Sequence, residues 1–161
     1  MISIDLLKSF GLFEGFSDGD LKGFADVAAM ESYKAGVELW KQGDPAEYML
    51  LLLEGKVLMT LDIDAGPHRA PIHVTVDIMS KGEALGWSSV VEPYVYTRTV
   101  RCLDDSKMVA LKGAQLREIL NEDSGLGFKF MCSIAKLLRN RLSHTEIILV
   151  GERGLSILSK D

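Results

Sequence analysis

The sequence predicts a mainly β protein with helices at both ends, an α+β chain built on a small antiparallel sandwich or barrel. Three observations predict it. Apolar residues recur at helical spacing over residues 1–30. Between residues 31 and 112 short apolar runs alternate with Gly, Pro and Asp punctuation. After Gly113 the helical period returns and lasts to about residue 150. A length of 161 residues, 47% hydrophobic and 25% charged, suits a single domain over residues 1–161 with a real core, and argues against disorder.

The elements follow in order. Ile4, Leu6, Leu7 and Phe10 form an apolar cluster before Gly11. Ser17 is placed to cap a second helix, with Asp20 at its third position and Phe16 stapled to Leu21. Leu21, Phe24, Ala25 and Ala28 continue that helix on one face. Residues 48–53 form a continuous apolar run that fits a buried strand. Glu54-Gly55 turns the chain, and Val57, Met59, Leu61 and Ile63 share one face of the returning strand. Residues 64–71, with Gly66, Pro67 and Pro71, are a loop. Strict alternation resumes over residues 73–78, and residues 94–103 and 107–111 make two more strands. Asp104-Asp105 reads as a hairpin turn between them.

Leu116, Ile119 and Leu120 suit a short helix. Residues 126–150 then read as one long helix ended by Gly151, leaving residues 151–161 as a tail. Met131, Ile134, Leu138, Thr145 and Ile148 form one seam along it, with Arg141 as the exception. Ala135, Leu138, Leu142, Thr145 and Leu149 form a second. Two seams make a stripe wider than a helix lying on its own sheet requires, which favours a homodimer through this helix. The competing reading is a helix packed only on its own barrel. Lys136, Arg139 and Arg141 form a basic side that reads as a solvated face.

A formal charge of −5 disfavours a dominant DNA-binding surface. The longest apolar run has six residues, whereas a membrane helix requires about 20, and the N-terminus has no signal-peptide pattern. The two cysteines, Cys102 and Cys132, form no CxxC pair and read as buried thiols of a cytoplasmic protein. His68, His73 and His144 are scattered, so a metal site is not expected. No nucleophile elbow, P-loop or kinase signature occurs, and the expectation is a non-enzyme without a cofactor.

Four fragments in order add a resemblance. They are Gly36-Val37-Glu38-Leu39-Trp40-Lys41-Gln42-Gly43-Asp44-Pro45, Tyr48-Met49-Leu50-Leu51-Leu52-Leu53-Glu54-Gly55-Lys56-Val57, Gly82-Glu83-Ala84-Leu85-Gly86-Trp87 and Thr97-Arg98-Thr99-Val100-Arg101-Cys102. Together the chain resembles the cyclic nucleotide-binding domain of the catabolite activator and FNR superfamily, in a stand-alone form. The resemblance implies an antiparallel double-stranded β-helix, a cupin-like jelly-roll barrel over residues 31–112, with N-terminal helices over 1–30 and C-terminal helices over 113–150. It implies a phosphate-binding cassette beginning at Gly82. It also implies a long helix that closes over the ligand, and Asn140, Arg141 and Thr145 are polar residues in that segment. Each of them reads in preference as solvated helix surface, or for Thr145 as a polar seam position. Transcription factors of the superfamily carry a helix-turn-helix module after the long helix, and residues 152–161 are too few to build one, so direct DNA reading is not expected.

The cassette has its own physical logic. Gly82 and Gly86 let backbone N–H groups approach an anion, and Ser88 and Ser89 add hydroxyl donors. An ordinary Gly-rich connection is the plainer alternative. The resemblance gives Glu83 the role of accepting a bond from a ribose hydroxyl. It also places an Arg late in the cassette, and that position falls on Tyr96. Losing one charge-assisted bond of about 1.5–3 kcal/mol weakens an anion by roughly one to two powers of ten. Three readings stay open: Arg98 reaches back as the substitute cation with Thr97 offering its hydroxyl and N–H; Tyr96 and Trp87 stack on a different effector; or both rings fill a vestigial pocket. The candidate ligand-binding residues are therefore Gly82, Glu83, Ala84, Leu85, Ser88, Ser89, Tyr96, Thr97 and Arg98. The function expected is a sensory domain for a small-molecule effector, cyclic AMP or a related anion, signalling to a separate output protein. The alternative is a dimerisation or protein-interaction module that binds no nucleotide.

Overall fold

The computed structural model describes residues 2–158. The chain begins with α1 (Ile4–Lys8), a 3-10 turn (Gly11–Phe13) and α2 (Asp18–Val27). Eight strands follow: β1 (Ala29–Tyr33), β2 (Glu38–Trp40), β3 (Tyr48–Glu54), β4 (Val57–Ile63), β5 (Ile72–Met79), β6 (Ala84–Leu85), β7 (Thr99–Cys102) and β8 (Ser106–Lys112). A second 3-10 turn, Trp87–Ser89, lies between β6 and β7. The chain then continues into α3 (Gly113–Glu122) and α4 (Ser124–Leu158).

The predicted start of α2 forms as a capping box. Ser17 Oγ accepts from the Asp20 amide at 3.2 Å, and the Asp20 carboxylate accepts from the Ser17 amide at 2.9 Å. Lys129 of α4 donates to the same carboxylate at 2.7 Å, so one aspartate fixes the helix start and anchors α4. Below it Phe13, Phe16, Phe24 and Phe130 pack as one aromatic group, with Phe24 and Phe130 stacked at 5.6 Å.

The strands form two antiparallel four-stranded sheets, ordered β1-β8-β3-β6 and β2-β7-β4-β5. The apolar run of β3 is explained by its two faces. Met49 and Leu51 point to the helices, where they meet Leu7, Leu21, Phe24, Leu116 and Ile134. Leu50 and Leu52 point between the sheets, where they meet Trp40, Val57, Met59, Val100 and Met108. A strand buried on both faces reads as continuous rather than alternating. Gly55 makes the following turn at φ +91, and a Cβ there would lie 2.3 Å from Ser106 Oγ.

Several expectations are corrected. The closed cupin-like barrel does not form: among the described residues no ladder joins the two sheets, because β6 pairs only at Leu50 and Leu51 before the chain diverts. The strand expected over 94–103 is only Thr99–Cys102. Its first half leaves the sheet, keeping a single bridge between Pro45 and Val95. On β4, Val57 and Met59 are buried but Leu61 is half-buried and Ile63 exposed, since the register shifts after Met59 and the β4–β5 hairpin runs beyond the core. Cys102 is buried, whereas Cys132 is exposed on the outer side of α4, away from Phe130 and Ile134.

Gly151 does not end the long helix. A single Gly costs about 1 kcal/mol in a helix, and the Leu, Glu and Arg residues around it are good helix formers, so α4 runs from Ser124 to Leu158. The tail expected over 151–161 is thus helical to 158, and its last three residues lie outside the described residues. Neither seam of α4 is buried along its length. Ile134 is buried and Leu138, shared by both seams, packs on the core beside Leu137, while Met131, Thr145 and Ile148 of the first seam and Ala135, Leu142 and Leu149 of the second are exposed in this chain.

Candidate functional site

The nine candidate residues do not converge on one point. Gly82, Glu83 and Ala84 border a cavity of about 330 Å³ between the 3-10 turn at Gly11 and α4. Ser88, Tyr96, Thr97 and Arg98 border a second cavity, of about 250 Å³, inside the mouth of the two sheets. Leu85 belongs to the core between the sheets. Ser89 is fully buried, and its hydroxyl has no hydrogen-bond partner among the described residues.

Glu83 spends one carboxylate oxygen on its own turn. Its carboxylate accepts from the Ser80 amide at 2.7 Å and from the Ser80 hydroxyl at 3.3 Å, closing the tight turn between β5 and β6. A carboxylate three residues after an unpaired amide satisfies that turn locally. Both bonds reach Oε2, and among the described residues Oε1 accepts none, on a side chain that borders the 330 Å³ cavity.

Tyr96 is neither an open binding face nor a plug shared with Trp87. Its ring stacks on Trp40, 4.0 Å between centroids and 6° from parallel. Its phenol donates to the Tyr48 carbonyl at 2.8 Å and accepts from the Tyr48 amide at 3.0 Å. Tyr48 lies just past the end of β6, so the phenol stands where a strand partner would continue. Burial pushes the phenol up to about 12. Trp87 is half-buried at the cavity wall, and the hollow beside the stacked pair remains open.

The wall of the 250 Å³ cavity carries Gly86, Trp87 and Ser88 from the connection after β6, the Trp40–Tyr96 pair, Arg98, and Leu138, Arg141 and Thr145 from α4. Gly86 is required here: its φ is +79, and a Cβ would lie 2.5 Å from the Tyr48 carbonyl oxygen. Among the described residues no Asp or Glu lines this cavity, whereas two arginines do. Arg98 is half-buried, with Nη1 donating to the Thr97 carbonyl at 2.6 Å.

Arg141 is the residue that sequence reasoning weighed and set aside. Read in preference as solvated helix surface, it turns inward and is half-buried. Its Nη2 donates to the Ala84 carbonyl at 2.8 Å and lies 3.3 Å from Met79 Sδ. Burial lowers its proton affinity, opposed by the carboxylates of Glu83 and Asp77, and a guanidinium stays charged in such surroundings. The signal was present as the one interruption of an apolar seam.

The connection between β6 and β7 is also tied to α3. Arg117 donates to the Ser89 carbonyl and stands 4.3 Å over the Tyr94 ring, while Gly113 sits so close that a Cβ would come within 2.7 Å of the Ser89 carbonyl oxygen. Among the described residues no group of His, Cys, Asp and Glu could hold a metal ion, and no helix is long and apolar enough to cross a membrane.

The family model for the cyclic nucleotide-binding domain matches residues 30–123. A search of the curated proteins finds no match. Among solved structures, the chain is similar to a protein of Geobacter metallireducens described as cyclic nucleotide-binding, with 30% identity and a TM-score of 0.76 over 88% of this chain and 99% of that one. A cyclic nucleotide-binding domain from Methylobacillus flagellatus shares the fold at 20% identity and a TM-score of 0.75, covering 92% of this chain and 80% of that one. The catabolite activator protein of Thermus thermophilus shares it at 19% identity and 0.68, over 92% of this chain and 63% of that one. With more than half its length matched by one family model, and a structural relative at 30% identity over nearly all of it, this chain belongs to the cyclic nucleotide-binding domain family.

Proposed function

We propose that this chain is a small-ligand regulatory domain that binds a cyclic nucleotide, or a related anionic effector, in the 250 Å³ cavity and passes the event on through α4. The observation that carries the reading is the charge of that cavity. Arg98 and Arg141 line it, and among the described residues no carboxylate does. Two cations in a cleft with low-dielectric walls concentrate anions. Ser88 adds a hydroxyl on the same wall.

The size of the hollow supports the relay. Small-molecule sites span about 300–1,000 Å³, so a nucleotide-sized guest presses on a wall of this smaller cavity. The sheet walls are held by hydrogen-bonded ladders. Leu138, Arg141 and Leu142 approach from α4, where side-chain contacts do most of the holding, so occupancy is registered first at the helix. Arg117 gives the connection a second route, through α3.

A second copy of the chain is part of this reading. Leu142, Ile147, Ile148, Leu149 and Val150 are exposed along α4, and Ile72, Val74, Val76 and Ile78 along β5. Such a surface favours pairing of two α4 helices, with a separate output protein reading their arrangement. The compartment it takes is the cytoplasm, where the Cys102 thiol stays reduced.

The test is calorimetric and fluorescence titration with cyclic AMP, cyclic GMP and cyclic dinucleotides. Saturable binding that shifts tryptophan emission is expected. No heat at millimolar ligand, with a folded sample, refutes the reading and favours the second one, an interaction module without nucleotide binding. That second reading draws on Tyr96, whose phenol is committed to Tyr48, and on the same exposed apolar surface.

A further inference from the structure

Resting on that reading, we infer that Arg141 of α4 is the primary anion anchor, so that the effector's charged group is gripped by the helix itself rather than by the connection between β6 and β7. Among the described residues the connection offers the Ser88 hydroxyl but no buried cation. The position where the resemblance expects an Arg is Tyr96, and its phenol already serves the Tyr48 amide and carbonyl. Arg98, like Arg141, uses one guanidinium nitrogen, but its bond is an exposed one to its own neighbour's carbonyl and ties it to no other element.

Arg141 is held differently. One nitrogen, Nη2, makes both of its contacts, to the Ala84 carbonyl and Met79 Sδ. Among the described residues neither Nη1 nor Nε is bonded to a protein acceptor. A guanidinium has five N–H donors in a rigid plane. The Ala84 bond fixes that plane between the two cavities, both of which Arg141 lines, and leaves a fork free, which matches two oxygens of a phosphate. Burial disfavours the charge of Arg141, so an incoming anion relieves a cost the empty site carries.

The placement has a consequence for signalling. A phosphate on the free fork completes a chain from the ligand through Arg141 to the Ala84 carbonyl of β6. Ligand, helix and sheet then share one side chain, and occupancy strengthens the docking of α4 at residue 141. Where the anion is instead held by a loop, the helix has to sense it indirectly.

The experiment compares cyclic AMP with adenosine, which lacks the anion, on the wild type, Arg141→Gln, Arg141→Lys and Arg98→Gln. Thermal unfolding and near-ultraviolet circular dichroism verify that each variant is folded. The wild type is expected to prefer cyclic AMP over adenosine. Arg141→Gln should lower that preference by about ten- to a hundredfold, the worth of a charge-assisted bond, while its affinity for adenosine changes little. Arg141→Lys should recover part of it, and Arg98→Gln should lower it less than Arg141→Gln. A purely structural role for Arg141 would weaken both ligands equally and leave the ratio unchanged. If the ratio is unchanged in Arg141→Gln, or falls more in Arg98→Gln, the helix anchor is wrong while the binding reading stands. If the wild type binds none of cyclic AMP, cyclic GMP and the cyclic dinucleotides, the binding reading fails and the anchor with it.

Discussion

Replacing Tyr96 by Phe removes one oxygen and keeps the ring. The ring's stacking on Trp40, at 4.0 Å, survives, so the change isolates the phenol. That oxygen makes two hydrogen bonds, both to Tyr48, at 2.8 and 3.0 Å. Each contributes about 1 kcal/mol net, and the Tyr48 amide and carbonyl are left without this partner beyond the end of β6. The expected loss is about 2 kcal/mol, or about 4–8 °C in melting temperature for a chain of this size. Urea unfolding followed by tryptophan emission measures it. The reasoning also fixes a pH signature. The phenol's folded value, about 12, lies above the ordinary value near 10. Its contribution is therefore complete below pH about 10 and fades as pH rises toward 12, so wild type and Tyr96→Phe should converge there. A loss under about 0.5 kcal/mol at neutral pH, the size of a neutral surface change, would refute the idea that Tyr96 substitutes for a strand partner.

Other outcomes are expected. The Thr99 hydroxyl first, and His73 second, hold the Asp62 carboxyl below the usual range, so its stabilisation is complete above pH about 4 and lost as pH falls through the depressed value. Asp62→Asn should flatten that acid limb of a stability-against-pH curve, and an unaltered limb counts against it. Gly55→Ala forces a Cβ to 2.8 Å from the Asp105 carbonyl oxygen at φ +91 and should cost more than about 1 kcal/mol by urea midpoint, a neutral result contradicting the turn geometry. Leu142→Glu combined with Ile148→Glu should convert a dimer into a folded monomer in sedimentation, since both side chains are exposed in the single chain; a wild type already monomeric at its highest soluble concentration would remove the dimer from the reading.

Local chemistry was legible wherever neighbours in sequence are also neighbours in space. The Ser17–Asp20 capping box, the Gly55 turn and the doubly buried run of β3 are all readable from residues a few positions apart. Order and spacing of four short fragments carried the family as well. What failed were inferences that required knowing what lies across the fold. Alternation cannot tell that residues 94–98 leave the sheet, because the pairing of β7 with β2 and β4 stops at Val100 and Thr99 and only the Pro45–Val95 bridge continues. Glu83 looked wholly free until the turn at Ser80 took one of its two carboxylate oxygens.

Arg141 marks the division most clearly. In sequence it is a charge interrupting an apolar stripe, and charges on helices are mostly solvated. Only packing of α4 across the ends of β5 and β6 puts a carbonyl within reach and makes insertion of that charge tolerable. The sequence alone determined the helical ends, the β3–β4 turn and which residues can cap, turn or fill the core, since those follow from local geometry and apolar spacing. The tertiary structure decided which polar groups remain unspent at the cavity, because a donor is free only after every acceptor near it has been counted.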